Sequence, residues 1–585
     1  MPSSKSLWQT ISLQPLQGLL DTRSRPADIP LGAYRWKQNF SISPEERLCR
    51  RGGHERFHAD ADAYTNYDYH RQGKTREPVT LQFESTASDA TRRYFLGTES
   101  TVSVLDETTG LYTDIVTGLG ATGSRWKVAE LKDVLILTND VDDVRYYNLD
   151  GSGTGTINHL TAVLHVGAVK LAVQHEGFML LMNLVQDGER HANRIYWSDL
   201  NRPTAYDPDE AGLPSASITG FQDLDPGEII LNAAPMLGRL YVYTNRGIWW
   251  MQPSGDDTTV FQFVHVYQEP KNQTGCLAYE NTLVSTGSEH WYMGRDAIYH
   301  FTPYIPAPIR EDWLHLASGV IYTQEDTKLT PGGYCSSPVA EYVPTKHELW
   351  ISWPSTGNAG INNWSLVAQI EQKTADVIET GYTSLVNYRR NPTEGQLCDE
   401  RQELLGASGL DWCIKSIGEV FLREYAILAD ADDLTVDLPA TATYRDDGYN
   451  SILRGFIPLG LQDRDKIVRN VLLDHDTRIE SVPCAFRLRI GNAYSLVDPN
   501  ATAATCSPQW RQMTDKSAAC PDSNTNTALA AKGQRANIGT QWPVYEQGRF
   551  LYFELTVLAA DGTAAIGGDT CLQRVDFDAM ALPKR

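Results

Sequence analysis

The chain has 585 residues and a formal net charge of −22, with 73 acidic against 51 basic side chains. That balance excludes tight electrostatic wrapping of nucleic acid. With 41% hydrophobic and 21% charged residues, 45 glycines and 29 prolines, the composition excludes a disordered tail, a collagen or a low-complexity polymer. The length allows several domains or one large closed all-β unit.

Aromatic residues make up 10% of the chain and stand beside Val, Thr and Ile in short runs broken by Gly, Asn and Asp, which predicts β structure. The most apolar long stretch, Ala162 to Val185, is interrupted by His165, Lys170, Gln174, His175 and Glu176, so no membrane-spanning helix is expected. Met1 to Lys5 is not followed by the apolar core of a secretory signal, so synthesis and folding in a cytosol are expected. The nine cysteines include no Cys-x-x-Cys pair, which excludes a zinc ribbon or redox motif of that kind. Free thiols are the expectation, with Cys506 and Cys520 the pair to bridge in an oxidised particle.

Residues 1–78 read as an extended N-terminal arm and entry segment. The first fifty or so hold Pro15, Pro26, Pro30 and Pro44 among few periodic apolar positions and are expected to order only against a neighbouring subunit or adaptor.

From 79 to 430 a repeated strand grammar predicts a β-propeller of about seven blades. Leu131 to Asn139 is answered by Val144 to Leu149, and Gly177 to Leu184 by Arg194 to Ser198. Arg239 to Thr244 and Ile248 to Trp250 form a hairpin around Asn245-Arg246-Gly247, where alternation sets the faces and Gly247 is expected to supply positive φ. Asn281 to Ser285 with Gly294 to His300, and Glu348 to Trp353 with Trp364 to Ala368, continue the pattern. Two consecutive β-sandwiches would give similar spacing.

After the acidic stretch Asp430 to Asp437 the grammar changes. Ser451 to Gly460, Lys466 to Asp474, Ala485 to Ile490, Arg549 to Val557 and Gln573 to Asp578 predict a C-terminal β-sandwich-like domain over 431–585.

Several motifs invite chemistry. His54-Glu55-Arg56-Phe57-His58 matches the zinc-protease pattern, which grips metal only when a helix puts both imidazoles on one face. The flanks here, Arg50 to Gly53 and Ala59 to Asp62, are not those of a buried helix, and Tyr64 stands where an extended motif needs a third histidine. Gly73-Lys74-Thr75 resembles the end of a phosphate loop whose first glycine falls on Asp68. Asp60, Asp62 and Asp68, and Asp430, Asp432, Asp433 and Asp437, lack the glycine of a calcium loop and read as solvated charge. No catalytic, cofactor-binding or metal-ligating residue is assigned, no cofactor is expected, and the chain is read as a non-enzyme.

Gly18 to Arg23, Pro30 to Tyr34, Asn39-Phe40 and Arg50 to Phe57 together resemble the start of tailed-bacteriophage tail and neck β-propeller proteins. Arg194 to Asp199, followed by Asn201-Arg202-Pro203 and Tyr206-Asp207-Pro208, looks like their recurring mid-propeller segment, with Tyr206 where a Trp is often seen. Gly548-Arg549-Phe550 and Val575 to Asp578 look like their closing strands.

The resemblance implies a structural virion protein, most similar to the tail nozzle or hub of short-tailed phages. There a homo-oligomeric ring, usually of six copies, encircles the DNA exit channel. Its implied partners are other copies, tail adaptor or portal-side proteins, tail fibres or a needle, and DNA passing without specific binding. The acidic balance fits a wall that repels phosphate, with Arg47, Arg50 and Arg51 the one basic patch in view. The alternative is a propeller-based adhesin that binds host glycans through Trp249, Trp250 or Trp291.

Overall fold

The computed structural model describes residues 125–149, 166–206, 218–255, 259–269 and 275–295 continuously, and elsewhere the strands named below with short flanking segments. Apart from one 3-10 turn at Glu280–Thr282, every described element is a β-strand.

Five antiparallel sheets, each of four strands in chain order, follow one another. The first holds Leu81–Thr86, Arg92–Gly97, Val102–Asp106 and Leu111–Val116. The second holds Lys127–Leu131, Val134–Thr138, Arg145–Asn148 and Ile157–His159. The third holds Val166–His175, Phe178–Gln186, Glu189–Trp197 and Gly220–Asp223. The fourth holds Ile230–Met236, Arg239–Thr244, Gly247–Pro253 and Phe261–Gln268. The fifth holds Val284–Ser285, His290–Met293, Ile298–Phe301 and Pro306–Pro308.

A sixth group, Val339–Val343, Glu348–Trp353, Trp364–Gln369 and Thr374–Ile378, repeats the pattern. A seventh, Ser384–Arg389, Asp411–Ile417 and Val420–Glu424, takes its next strand from far upstream, His54–Arg56, with His54 opposite Glu424. The first strand of each group lies against the first strand of the next, and Ser384–Arg389 lies against Leu81–Thr86.

Turn chemistry explains the hairpins. Lys132-Asp133, Glu176-Gly177, Asp187-Gly188 and Leu237-Gly238 each fill a two-residue loop with both residues at positive φ, the primed turn whose twist matches the flanking strands. At Asn245-Arg246 the local device differs: the Thr244 hydroxyl accepts from Gly247 N at 2.9 Å and Arg246 N at 3.2 Å. Gly247 opens the following strand outside the left-handed region, so the expectation of positive φ there is corrected. Its glycine is required by space instead, because a Cβ would lie 2.4 Å from His265 Nε2 and 2.6 Å from the Tyr267 carbonyl oxygen.

Five apolar cores lie between consecutive sheets. Leu240 and Val242 enter the core shared with the third sheet, and Tyr241 and Tyr243 the core shared with the fifth. Alternation along this strand therefore sorts side chains between two interiors, where a one-faced sheet would sort them between core and water. Phe178–Gln186 is buried on both faces for the same reason. Each such aliphatic side chain contributes about 1.5–3 kcal/mol through burial. The fifth sheet also differs from the expected hairpin of 281–285 with 294–300, since His290–Met293 lies between the two.

One further sheet and an extension of the sixth group gather the ends of the chain. In one, Thr570–Ala581 pairs along one edge with Gln9–Leu13 and Leu48–Arg50 and along the other with Lys466–Arg478, which pairs in turn with Arg535–Gly548. In the other, Trp36–Gln38 bridges Thr374–Ile378 to Ser451–Phe456, followed by Leu551–Leu558, Ala485–Asn492 and Thr514–Ala519. The rings of Phe553 and Phe577, one from each sheet and both fully buried, lie 5.2 Å apart.

Within residues 1–78 five short strands are described, at 9–13, 36–38, 40–42, 48–50 and 54–56, and all are paired within the chain. Backbone donors and acceptors in strands must be satisfied, and here strands from the C-terminal half of the chain supply the partners of all but Phe40–Ile42, which pairs with Leu48–Arg50. Phe40 N donates to Asp376 Oδ2 at 2.8 Å, fixing this region to the sixth group.

Candidate functional site

The first strands of the sheets bring a set of charges together. Lys127 and Lys170 stand on the first strands of the second and third sheets, Arg125 just before the former, and Glu280 on the 3-10 turn preceding the fifth. Lys170 Nζ lies 2.6 Å from Glu280 Oε2 and 3.4 Å from Asp140 Oδ2. Arg190 also pairs with Asp140, and its Nε donates to Asn183 Oδ1 at 2.6 Å. Asn183 donates to the Ile230 carbonyl at 2.8 Å, and Asn232 to the Glu280 carbonyl at 2.5 Å, so the polar ties run from the second sheet to the fifth.

Burial and charge work against each other here. Burial draws Lys127 below the usual lysine range, with Glu280 opposing, and brings Arg125 down to about 10. Burial opposes ionisation of Glu280 too, but Lys127, Lys170 and Arg125 outweigh it and hold the carboxyl below its ordinary value. For Lys170, Glu280 and then Asp140 outweigh burial and raise the ammonium. Lys127 Nζ is buried and has no hydrogen-bond partner among the described residues. The cluster is a fixed, predominantly cationic knot, suited to holding sheets in place or seating a small anion. On the first strand of the sixth group, burial raises the Glu341 carboxyl to about 8.

A second group lies farther along the fourth sheet. Asp225, Glu228 and His265 each place one ligand atom within 4.8 Å of the others. Glu228 is buried and accepts from Trp249 Nε1 at 2.8 Å.

The segments singled out in sequence fall differently. His54–Arg56 is a strand, so successive side chains alternate and the helical register of a zinc protease is missing. Phe57, His58, Tyr64, Asp60, Asp62, Asp68, Gly73 to Thr75, Asp430 to Asp437, Arg47, Arg51, Cys506 and Cys520 lie outside the described residues. Cys276 is a buried free thiol, pushed up by burial and then by Glu269 and Glu228.

The segment from Arg194 to Tyr206 is occupied by packing. Arg194 grips Asp223 through two bonds of 2.7 and 2.8 Å. Trp197 Nε1 donates to the Ile218 carbonyl at 2.8 Å, Tyr196 to the Tyr206 carbonyl at 3.2 Å, and Tyr206 to the Met179 carbonyl at 3.2 Å. Met179 N donates to Ser198 Oγ at 3.0 Å. Of the tryptophans considered for glycan binding, Trp291 is core, 5% exposed and packed between the fifth and sixth groups. Trp250 lies under the Arg239 guanidinium at 4.4 Å, and Trp249 under His265.

Sequence reasoning missed both clusters. Lys170 was visible only as a break in an apolar run. Asp225 and Glu228 had a signal, because Asp-Pro-Gly-Glu is a type II turn sequence that brings its end residues together.

No family model matches the chain, and no curated protein does. Among solved structures it is similar to "YCF48 bound to D1 peptide", at a TM-score of 0.31 and 9% identity over 60% of this chain and 94% of that one. A likeness of that score carries no argument about either fold or function.

Proposed function

We propose that the chain is a structural virion protein whose copies form a ring, six in number, in the tail or neck of a short-tailed phage, where it acts as nozzle or hub for the DNA exit channel. The scaffold in this reading is a seven-bladed propeller with a C-terminal β-sandwich. Sheets covered on both faces by their neighbours support the propeller over two consecutive sandwiches, because a sandwich buries only one face of each sheet. Side-by-side first strands that return from Ser384–Arg389 to Leu81–Thr86 support closure. His54–Arg56 then supplies the fourth strand of the last blade.

The observation that carries the functional reading is the segment from Arg194 to Tyr206. Its sequence is read as resembling the mid-propeller segment of phage propeller proteins, and its polar side chains are engaged in holding one loop shut, as a building block requires. The net charge of −22 supports a channel wall that does not adhere to DNA.

Mass photometry of the purified full chain, together with negative-stain micrographs, tests the reading. Discrete rings are expected. A monomer at every concentration, with no copy detected in purified virions, overturns it.

A further inference from the structure

Asp225, Pro226, Gly227 and Glu228 form the turn that joins the third sheet to the fourth. Glu228 N donates to the Asp225 carbonyl at 3.2 Å and Gly227 has φ +82°, the backbone of a type II turn with proline second and glycine third. Its first and fourth residues are thereby neighbours, and both are acids. The Asn245 side chain fixes the turn from the other side, its Oδ1 accepting from Ile229 N at 2.8 Å.

The third member comes from the outermost strand of the fourth sheet, where His265 is opposite Trp249 in register. Trp249 organises two of the three side chains. Its ring stacks on the imidazole at 4.3 Å between centroids and 4° between planes, and its indole N–H donates to Glu228 Oε2 at 2.8 Å. An orienting hydrogen bond to a carboxylate, delivered by a residue that is not itself a ligand, is the usual support of a metal site.

One atom here is left short of a partner: His265 Nε2 is buried without a hydrogen bond among the described residues, which is costly. Glu228, 5% exposed, accepts from Trp249 through Oε2. The Arg246 guanidinium runs beside Gly227 and forms no ion pair with either carboxylate among the described residues, so the negative charge of the turn is not already neutralised by it.

We propose that Asp225, Glu228 and His265 bind a divalent transition-metal ion of the zinc class, with water completing its shell. One imidazole and two carboxylates suit zinc and its neighbours, whereas calcium and magnesium call for an all-oxygen set. Zinc bonds of about 2.0–2.2 Å in a tetrahedron hold ligand atoms about 3.4 Å apart. The group lies within 4.8 Å, so any closure it needs is at most about 1.4 Å. Asp225 supplies that movement, being exposed and free of side-chain hydrogen bonds among the described residues. The bound ion ties the loop between two sheets to the outer edge of the second of them.

Isothermal titration of the full chain, stripped with EDTA and titrated with zinc chloride, tests this. One ion per chain is expected, with binding abolished in Glu228→Gln and weakened by about 10- to 100-fold in Trp249→Phe, which keeps a stacking ring but removes the N–H. Asp225→Asn loses affinity while melting like the wild type in EDTA, since it changes only an exposed side chain. Zinc binding that is indifferent to Glu228→Gln and Asp225→Asn, as it is if cysteines hold the ion, overturns the proposal. So does displacement of zinc by an equal concentration of calcium, or no uptake by the wild type.

Discussion

The Tyr243 hydroxyl lies 2.9 Å from His290 Nδ1, deep in the core between the fourth and fifth sheets. On the far side of the ring, Nε2 lies 3.2 Å from the Pro235 carbonyl oxygen. A carbonyl only accepts, so Nε2 carries the proton and Nδ1 accepts from the tyrosine. His290 is therefore held neutral, and burial draws its pKa down to about 4, with the Pro235 bond opposing.

This pair predicts acid sensitivity. The folded pKa lies below the ordinary value of 6.5, so unfolding takes up a proton between the two. Stability present above pH 6.5 is lost as pH falls towards 4, by up to about 3 kcal/mol. Melting temperatures measured from pH 7.5 to 4.5 are expected to fall, and His290→Gln to flatten that slope. Tyr243→Phe leaves the ring nitrogen without its donor and costs about 1–3 kcal/mol at pH 7.5.

Glu341 predicts the opposite sign. Burial raises its folded pKa to about 8, above its ordinary 4.5, so the contribution it makes below pH 4.5 is lost as pH rises through 8. Glu341→Gln is expected to raise the melting temperature at pH 8.5 and leave it unchanged at pH 4.5. Equal shifts at both values would show that the carboxyl is ionised throughout.

Gly247 and Gly238 separate two reasons for glycine. Gly247→Ala meets His265 and the Tyr267 carbonyl, whereas an alanine at Gly238 meets open space but inherits φ +75°. Chemical denaturation is expected to give a loss of about 1–3 kcal/mol for the first, by overpacking, and about 1–2 kcal/mol for the second, by left-handed strain. Gly247→Val is expected to exceed both.

The channel reading predicts that the free protein shows no measurable binding to duplex DNA at low salt, where a basic binder is strongest. Gel shifts across a salt series check it. Tight, salt-sensitive binding lost on neutralising Arg47, Arg50 and Arg51 would replace the non-adhesive wall with a basic patch.

The N-terminal strands predict a protease pattern. In the isolated chain, cleavage within 36–38, 40–42, 48–50 and 54–56 is expected to be no faster than within the fourth sheet, because pairing there is internal to the chain. Rapid removal of these residues would restore the arm that waits for a neighbour.

Hairpins were the most legible part of the sequence. The alternation at 239–244 is a local signal, and the strand stands where it indicates. What alternation did not reveal was that Leu240 and Tyr241 serve different cores, since a sequence pattern cannot say that both faces are covered. The N-terminal strands were illegible because they are three to five residues long and, apart from the pairing of 40–42 with 48–50, their partners lie hundreds of positions downstream. The charge knot escaped because Lys127, Lys170 and Glu280 share no spacing; only the arrangement of first strands brings them together.

Closing the seventh group with His54–Arg56 has a consequence for synthesis. This strand leaves the ribosome early, yet its partner at Val420–Glu424 is made only after more than half the chain has followed. At roughly 5–20 residues per second the wait is about 20–70 s. During it the segment is an unpaired edge, the element most prone to pair with the wrong chain. His-Glu-Arg is a poor template for such pairing, since charge on an edge strand discourages capture. The motif that imitates a protease is thus well suited to keeping a nascent strand soluble until the last sheet is ready to receive it.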